Sequence, residues 1–367
     1  MSVKISIIIP VFNLEGYIDK CLDSVCGQTM NSREMEIIVI NDGSTDCTAD
    51  ILDEWGKKDE RIKIVHKKNE GVSAARNTGI DMAKGEFIFF FDGDDFMEPE
   101  TCEELYIMAK EKKVDSVVYG YYRYENDEIT QICHPLFDKE IYEGEEILEK
   151  MVPQFIGLSY ENINAWLRQE DNALYVENPA LWRIMVSRHI IEDYKIRFDT
   201  RLKVGEDTVF ISEYLSCAQR CLVQQKCYYY LVTRQTSTIF VYERKAMQKL
   251  QGKMNLLDGR QDLTDRIKVR TGKDITYTWA GTVVMSAIEV AFLMAAENKE
   301  CSLKERYRAY KNYVTDIRVR ELVKNFELRN AGGIKRIPFI LLKWKWYGVL
   351  FFATSLLHLI HYEFNRG

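Results

Sequence analysis

The chain has 367 residues, 46% hydrophobic and 29% charged, and its formal net charge is −6. This length exceeds one usual domain, so we expect a catalytic domain of about 200 to 250 residues plus a second region. The negative charge argues against a nucleic-acid-binding protein, because such proteins usually carry a basic surface. Nine cysteines without paired short spacings favour a reducing compartment, so we expect a cytoplasmic protein.

Strand and helix patterns alternate through the first hundred residues. Apolar residues at helical spacing occupy 14–25, 51–55 and 72–83. Short runs of branched and aromatic residues separate them and predict buried strands at Ile5–Ile9, Glu36–Ile40, Arg61–Val65 and Glu86–Phe91. The alternation predicts an α/β fold with a mostly parallel sheet flanked by helices.

The next part of the chain continues this domain with a weaker pattern. From Pro99 to about Lys112 we predict a helix, and around Ser116–Tyr119 a strand. Between Tyr121 and Asn178 we predict only a helix at Glu145–Met151. The remaining predictions before residue 235 are a helix at Pro179–Ile191, a helix that begins at Gly205-Glu206-Asp207, and a strand at Tyr228–Tyr230.

The last third of the chain changes class. Its patterns predict helices at Ala246–Leu257, Thr276–Ala295 and Ser302–Val323. This change places a boundary near 235–245, between a catalytic domain at 1–240 and a helical region at 241–367. Within the catalytic domain we expect a nucleotide-binding half at 1–120 and an acceptor-side half at 121–240.

Each predicted strand of the first half ends in a polar loop. In parallel sheets, ligands bind beyond the carboxyl ends of the strands, so we expect these loops to converge on one crevice. The four loops are Pro10-Val11-Phe12-Asn13, Asn41-Asp42-Gly43-Ser44, His66-Lys67-Lys68-Asn69 and Asp92-Gly93-Asp94-Asp95.

Three carboxylates lie together in the fourth loop, at Asp92, Asp94 and Asp95. Carboxylates this close repel one another unless a cation lies between them, and their hard oxygens suit Mg²⁺ or Mn²⁺. A solvated turn that caps the next helix explains the same residues about as well.

Other candidate residues have similar structural alternatives. Asp42 can accept hydrogen bonds from a base or ribose while Gly43 allows close backbone approach, although both also suit a turn. Arg76 can reach a phosphate or a uracil carbonyl, or lie solvated on its helix. Glu206 and Asp207 can supply a general base, but acids are common in a first helical turn because of the helix dipole.

Taken in order, these segments closely resemble the motifs of family 2 glycosyltransferases, which have the Rossmann-like GT-A fold. The resemblance rests on Ser6–Asn13, Ile37–Asp46, Gly71–Asn77 and Phe90–Asp95. It is dense over residues 3–120, continues sparsely to about 240 through Phe198-Asp199 and Gly205-Glu206-Asp207, and says little about the remainder.

The resemblance implies a donor site and a metal site. Asp94 or Asp95 of the Asp-x-Asp element and its neighbour would hold Mn²⁺ or Mg²⁺. The first loop and Asp42 would cradle the nucleoside, Arg76 would approach the base, and Asp92 would face ribose or diphosphate. The implied donor-site residues are Pro10, Phe12, Asn13, Asp42, Gly43, Arg76, Asp92 and Gly93.

The resemblance also implies the catalytic residues. Asp207 matches the family's catalytic base, and Glu206 is its neighbour. The Gln-x-x-Arg-Trp motif of processive members does not occur in the sequence, which favours a non-processive enzyme. Arg234 and Ser237 lie where non-processive relatives often place a basic residue and a hydroxyl near the diphosphate.

The implied reaction is inverting transfer of a sugar, expected to come from a UDP-sugar, to a hydroxyl of a glycan or lipid-linked acceptor in bacterial envelope polysaccharide synthesis. Two alternatives stay open: a non-catalytic module that binds a nucleotide sugar or glycan, and a sugar nucleotidyltransferase. The retained acids disfavour the first alternative. The second usually opens with a glycine-rich basic loop, which Pro10-Val11-Phe12-Asn13 does not provide.

A second candidate surface lies near the carboxyl terminus, at 337–360. This segment is apolar, but Lys343 and Lys345 interrupt it, and Trp344 and Trp346 alternate with them. A bilayer span needs about 20 apolar residues, and the two lysines shorten the uninterrupted apolar stretch below that length. We therefore expect peripheral contact with the inner face of the cell membrane. A buried helix or a contact within a homo-oligomer explains the same pattern.

Overall fold

The computed structural model describes residues 2–174, 176–233, 246–296, 301–329 and 333–359, with side chains to 356 in the last range. The chain folds into two compact units. One consists of Met1–Phe155 and Glu177–Ser237, and the other of Ile156–Val176 and Thr238–Gly367. Residues 156–176, which the sequence analysis placed in the acceptor-side half, thus group with the C-terminal helices.

The first half of unit one contains the four predicted strands, which are confirmed. They pair in parallel in the order β3-β2-β1-β4, and β1 and β2 are buried along most of their length because helices cover both faces. The elements are β1 (Ile5–Val11), α1 (Ile18–Cys26), β2 (Met35–Asn41), α2 (Thr48–Lys58), β3 (Ile62–His66), α3 (Val72–Met82) and β4 (Phe87–Phe90).

The chain between 96 and 232 extends the same sheet. Its elements are β5 (Phe96–Met97), α4 (Thr101–Lys112), β6 (Ser116–Glu125), β7 (Glu128–Cys133), β8 (Ile141–Glu143), α5 (Val152–Ile156), α6 (Tyr160–Leu167, in unit two), β9 (Ile184–Ser187), α7 (Arg188–Asp193), α8 (Glu206–Leu215) and β10 (Arg220–Val232). The full order is β3-β2-β1-β4-β9-β6-β10-β5, with β7 beside β6 and β8 beside β10.

The direction of the strands places many loops at one edge. Strand β9 is antiparallel to both β4 and β6, so β6 runs in the same direction as β4, and β10 is parallel to β6. The carboxyl ends of β1 to β4, β6 and β10 therefore lie at a common edge of the sheet. The α/β class is confirmed, and the sheet is parallel from β3 to β4 and mixed beyond β4.

The predicted helix at Pro179–Ile191 is wrong over most of its length. Residues Leu181–Arg183 form a 3₁₀ turn, Ile184–Ser187 form β9, and only Arg188–Asp193 are α-helical. A short apolar run suits a buried strand as well as a helix, and here insertion between β4 and β6 decides in favour of a strand. Between 121 and 178 the sequence pattern is too weak to predict β7, β8 and α6, which the structure contains.

Unit two is helical. After α6 its described elements are α9 (Ala246–Thr271), α10 (Thr276–Ala295), α11 (Leu303–Thr315), α12 (Ile317–Asn325), α13 (Ile337–Lys343) and α14 (Tyr347–Leu359). The predicted helix at Ser302–Val323 is divided at Asp316, whose carboxylate caps α12 by accepting from Arg318 N. In the described residues, α10 alone is long and apolar enough to cross a bilayer, yet 78% of that stretch is buried by packing, as in a core helix.

Close packing of α3 on β1 gives a stability prediction. A methyl group at Gly79 would overlap Ile8 Cγ2 in the buried centre of the sheet. Helix propensity alone favours Gly79→Ala by about 1 kcal/mol, but the overlap should instead lower the free energy of unfolding by about 1–3 kcal/mol. Urea denaturation measures this change in the free energy of unfolding. The control is Gly56→Ala in α2, where the methyl meets only the terminal Cδ1 of Ile64; equal effects of the two substitutions would contradict the packing argument.

Candidate active site

The loops after β1 and β2 are tied together by polar contacts. Asn13 adopts the left-handed conformation with φ 53°, which asparagine tolerates better than most residues. Its Oδ1 accepts from Thr45 N at 2.8 Å, and its backbone N donates to Ser44 Oγ at 3.0 Å. Nearby, Phe12 is exposed and Pro10 is half-buried. The contacts therefore fix a loop that presents an aromatic ring at the edge of the sheet.

Asp42 anchors the loop that leads into α3. Its carboxylate is buried and accepts from Glu70 N at 2.9 Å and from Gly71 N at 2.7 Å. Beside it Gly43 has φ 76°, and a Cβ there would lie 2.8 Å from Asn69 N, so only glycine fits without strain. Carboxylate oxygens can accept more than one bond each, so Asp42 retains capacity for a ligand.

Arg76 holds three carboxylates at once. The side chain is 5% exposed; Nη1 lies 2.7 Å from Asp207 Oδ1 and 3.1 Å from Glu206 Oε1, and Nη2 lies 3.1 Å from Asp92 Oδ1. In the sequence, Arg76 is 16 positions from Asp92, 130 from Glu206 and 131 from Asp207. The guanidinium predicted to approach a nucleotide base is thus already engaged by acidic side chains.

Contacts from α3 bring the two distant acids to Arg76. Asn77 Nδ2 donates to Phe198 O and its Oδ1 accepts from Phe198 N, both at 2.9 Å. At the end of this segment Gly205, with φ 84°, is the N-cap of α8. Glu206 and Asp207 therefore occupy the first turn of α8, where the helix dipole also favours negative charge.

The excess of negative charge around one guanidinium shifts the proton affinities. Burial raises the pKa of Asp207 well above its ordinary value; Arg76 opposes this, while Glu206 and Asp92 raise it further. Burial alone would lower the pKa of Arg76, but Asp207, Asp92 and Glu206 together raise it. Asp207 thus combines an elevated proton affinity with a side chain that is still 22% exposed.

Both oxygens of Asp95 bind protein donors. It is 2% exposed, and its Oδ2 accepts from Tyr229 OH at 2.5 Å while Oδ1 accepts from Val232 N at 2.7 Å. The Tyr229 ring stacks on Trp182, with centroids 4.4 Å apart. Burial, with the charges of Asp94 and Asp92, raises the pKa of Asp95 well above its usual range. Asp95 therefore joins the acidic turn to the end of β10.

The rest of the acidic turn is more open. Asp95 N donates to Asp92 O at 3.1 Å to close the turn, and a Cβ at Gly93 would lie 2.8 Å from Leu14 Cδ1, so a larger residue there would displace the end of the Leu14 side chain. Asp92 is 34% exposed and Asp94 is half-buried. The described residues contain no cluster of three ligating side chains. One or two carboxylates completed by substrate phosphates are a usual Mg²⁺ site, and Asp92 and Asp94 fit that donor set.

Some site residues fall outside these observations. Arg234 and Ser237 lie outside the described residues. Tyr229 and Asn77 position the acids, yet the sequence analysis gave neither a role. Asn77 directly follows Arg76 in the quoted motif, which is a usable signal, whereas nothing in the Tyr228–Tyr230 run marks one hydroxyl as the partner of an acid 134 positions away.

Removal of the shared cation gives a pH-dependent prediction. Arg76→Met should lower the free energy of unfolding by about 3–5 kcal/mol at pH 8, because three carboxylates lose their counter-charge. Without the cation the pKa of Asp207, which burial already raises, rises further above its unfolded value, so the lost stability should partly return as pH falls towards 5 and Asp207 binds a proton. Chemical denaturation at both pH values measures this.

The matched control is Arg197→Met, which removes an exposed pair with Asp81 and should cost about 0–1 kcal/mol at either pH. An Arg76→Met loss that is small, or that is equal at pH 8 and pH 5, would contradict the charge argument.

Comparisons with known proteins identify a family domain and a fold. The model of the family described as "Glycosyl transferase family 2" matches residues 6–179. The uncharacterized glycosyltransferase EpsJ of Bacillus subtilis is 29% identical over 248 residues, which are 67% of this chain and 66% of EpsJ. Poly(ribitol-phosphate) beta-N-acetylglucosaminyltransferase TarP of Staphylococcus aureus is 30% identical over 232 residues, 62% of this chain and 62% of TarP. The aligned part of the chain spans less than two thirds of either relative.

A solved structure shows a similar fold over nearly the whole chain. The crystal structure of S. aureus TarS 1-349 in complex with UDP-GlcNAc superimposes with a TM-score of 0.55 at 19% identity, covering 99% of this chain and 93% of that one. At this identity the likeness concerns the fold alone. These matches show that residues 6–179 form a glycosyl transferase family 2 domain and that the chain has the GT-A fold.

Proposed function

We propose that the chain is an inverting, non-processive glycosyltransferase that moves a sugar from a UDP-sugar to a hydroxyl of a glycan or lipid-linked acceptor in envelope polysaccharide synthesis. The observation that carries this proposal is the convergence of Asp92, Glu206 and Asp207 on Arg76 beside the open acidic turn. TarP, a poly(ribitol-phosphate) beta-N-acetylglucosaminyltransferase, supports the acceptor class, and the UDP-GlcNAc complex of TarS supports the donor class.

Asp207 is proposed as the general base. Its oxygen contacts Arg76, which fixes the carboxylate in one orientation, while its partial exposure leaves room for an acceptor hydroxyl. A raised pKa suits this role because a base is most effective when its pKa lies near the working pH. As Asp207 accepts the hydroxyl proton, the acceptor oxygen bonds to the anomeric carbon, and the bond from that carbon to the diphosphate oxygen breaks on the opposite face. The configuration therefore inverts through an oxocarbenium-like transition state.

The first two loops are proposed as the nucleoside site. Phe12 offers an exposed ring, and Asp42 keeps acceptor capacity after binding Glu70 N and Gly71 N. Asp92 contacts Arg76 and is still partly exposed, and we assign it the role of facing the ribose or the diphosphate. We assign Arg76 the role of positioning the catalytic acids, rather than that of contacting the nucleotide base.

Asp94, with Asp92, is proposed to hold Mn²⁺ or Mg²⁺. When bound, the metal would neutralise charge on the diphosphate leaving group. Asp95 is less suited to this role because it is 2% exposed and its hydrogen bonds from Tyr229 and Val232 hold the turn against the end of β10. The proposal thus favours Asp94 over Asp95, two residues between which the sequence could not decide.

We also propose that the chain works at the cytoplasmic face of a membrane, where a lipid-linked acceptor would lie. Support comes from the described part of 337–360, where Lys343, Trp344, Lys345 and Trp346 are exposed. Assembly into a homo-oligomer stays a prediction from the sequence.

The role of Asp207 is tested by Asp207→Asn. The amide cannot accept the hydroxyl proton, so turnover should fall about 10²- to 10⁴-fold while UDP affinity stays within about twofold. UDP release across a panel of UDP-sugars and calorimetric UDP binding measure the two quantities. Asp193→Asn, an exposed acid on α7, serves as the control and should leave turnover unchanged. Near-normal turnover of Asp207→Asn would refute the assignment.

The division between Asp94 and Asp95 is tested by comparing their variants. Asp94→Ala should weaken UDP binding in the presence of Mn²⁺ by about tenfold or more. Asp95→Asn should instead lower the free energy of unfolding by about 1–3 kcal/mol, because it disturbs bonds to Tyr229 and Val232 inside the fold. Calorimetry with and without Mn²⁺ measures UDP binding, and urea denaturation measures the free energy of unfolding. The reverse pattern would identify Asp95 as the metal ligand.

A further inference from the structure

Helix α14 has one packed face and one open face. Leu350, Phe351 and Thr354 are buried, with the Phe351 ring 5.2 Å from that of Tyr307 and Thr354 Oγ1 donating to Ala291 O at 3.4 Å. These contacts fix the rotation of α14 against α10 and α11. The opposite face therefore points to solvent.

That open face is apolar. Trp346, Val349, Phe352 and Leu356 follow one another at intervals of three or four residues, which places them on one side of the helix. They are 52% to 62% exposed, and the adjacent Trp344 is 63% exposed. A continuous row of large apolar side chains in solvent marks a surface that binds something, because isolated exposed residues need no explanation but contiguous patches do.

The segment that carries this row contains charges of one sign. Residues 330–359 contain four basic residues, Lys335, Arg336, Lys343 and Lys345, and no aspartate or glutamate, although the whole chain has a net charge of −6. Lys343 and Lys345 are exposed, and neither forms an ion pair within the described part of the chain. A partner that presents negative charge beside an apolar layer would match both features.

We propose that this surface docks on the interface of an anionic lipid bilayer. We define the lipid-facing surface as Trp344, Trp346, Val349, Phe352 and Leu356 with Lys343 and Lys345. The apolar side chains enter the boundary between headgroups and acyl chains, the indole rings lie at headgroup level, and the lysines contact lipid phosphates. With 13 residues, α14 is shorter than the about 20 needed to cross a bilayer, so it lies along the surface.

The same charges disfavour a second copy of the chain as the occupant. In a two-fold contact each patch meets itself, so the basic residues of one copy would face those of the other. Binding to a lipid surface involves no nucleotide sugar. The inference rests on the proposed membrane location and names the lipid class at this surface, while the transfer reaction and the lipid binding can each fail without the other.

Vesicle co-sedimentation of the full chain, without donor, tests the inference. Vesicles of phosphatidylcholine alone are compared with vesicles that also contain phosphatidylglycerol. The wild type should sediment with the anionic vesicles and much less with the neutral ones. Phe352→Ser with Leu356→Ser should lower the partition coefficient by about tenfold or more, and Lys343→Gln with Lys345→Gln should lower it about 25-fold at low salt, near fivefold for each lysine.

Two controls match these variants. Val269→Ser removes the most exposed apolar side chain of α9, and Lys304→Gln with Lys311→Gln removes two exposed lysines of α11. Both should bind vesicles as the wild type does, and thermal unfolding should show that all variants are folded. Equal binding by surface variants and controls, or no wild-type binding to anionic vesicles, would overturn the inference. So would a surface variant that dissociates an oligomer while leaving vesicle binding unchanged.

Discussion

The active-site arrangement depends on one buried guanidinium that contacts three carboxylates. Without Arg76, the acids at Asp92, Glu206 and Asp207 would repel one another at the edge of the sheet, since ionised groups at 3 to 4 Å interact strongly where water is largely excluded. One positive charge does not balance three negative ones. The remaining imbalance, together with burial, raises the proton affinity of Asp207. The interaction that assembles the site is thus also the one that tunes its proposed base.

The acids of the turn after β4 differ in burial. Asp95 is enclosed and binds Tyr229 and Val232, so it holds the turn against the end of β10. Asp92 and Asp94 stay closer to solvent, where a diphosphate and a cation can reach them. A rigid inner acid beneath two accessible ones is a suitable support for a ligand site, because bound geometry is kept by the groups behind the contacting atoms.

The sequence predicted those parts of the structure that are local. The four parallel strands, α3, the start of α8 and the polar loops follow from periodicity and from turn and cap residues, and the structure confirms the elements. The partners of the candidate acids could not be predicted, because Arg76 meets Asp207 across 131 positions and Asp95 meets Tyr229 across 134. The error at 184–187 has the same origin: Ile184 to Val186 become a strand only because β4 and β6 leave space for one.

The most direct test of the central claim is a double-mutant cycle in turnover, measured as UDP release, for Arg76→Lys and Asp207→Asn. Lysine keeps the charge but loses the fork that holds the carboxylate, so Arg76→Lys should slow turnover by misplacing the base. If Arg76 acts through Asp207, the double variant should be no slower than Asp207→Asn alone, because there is no base left to misplace. Losses that multiply in the double variant would show that Arg76 and Asp207 act independently and would contradict the account.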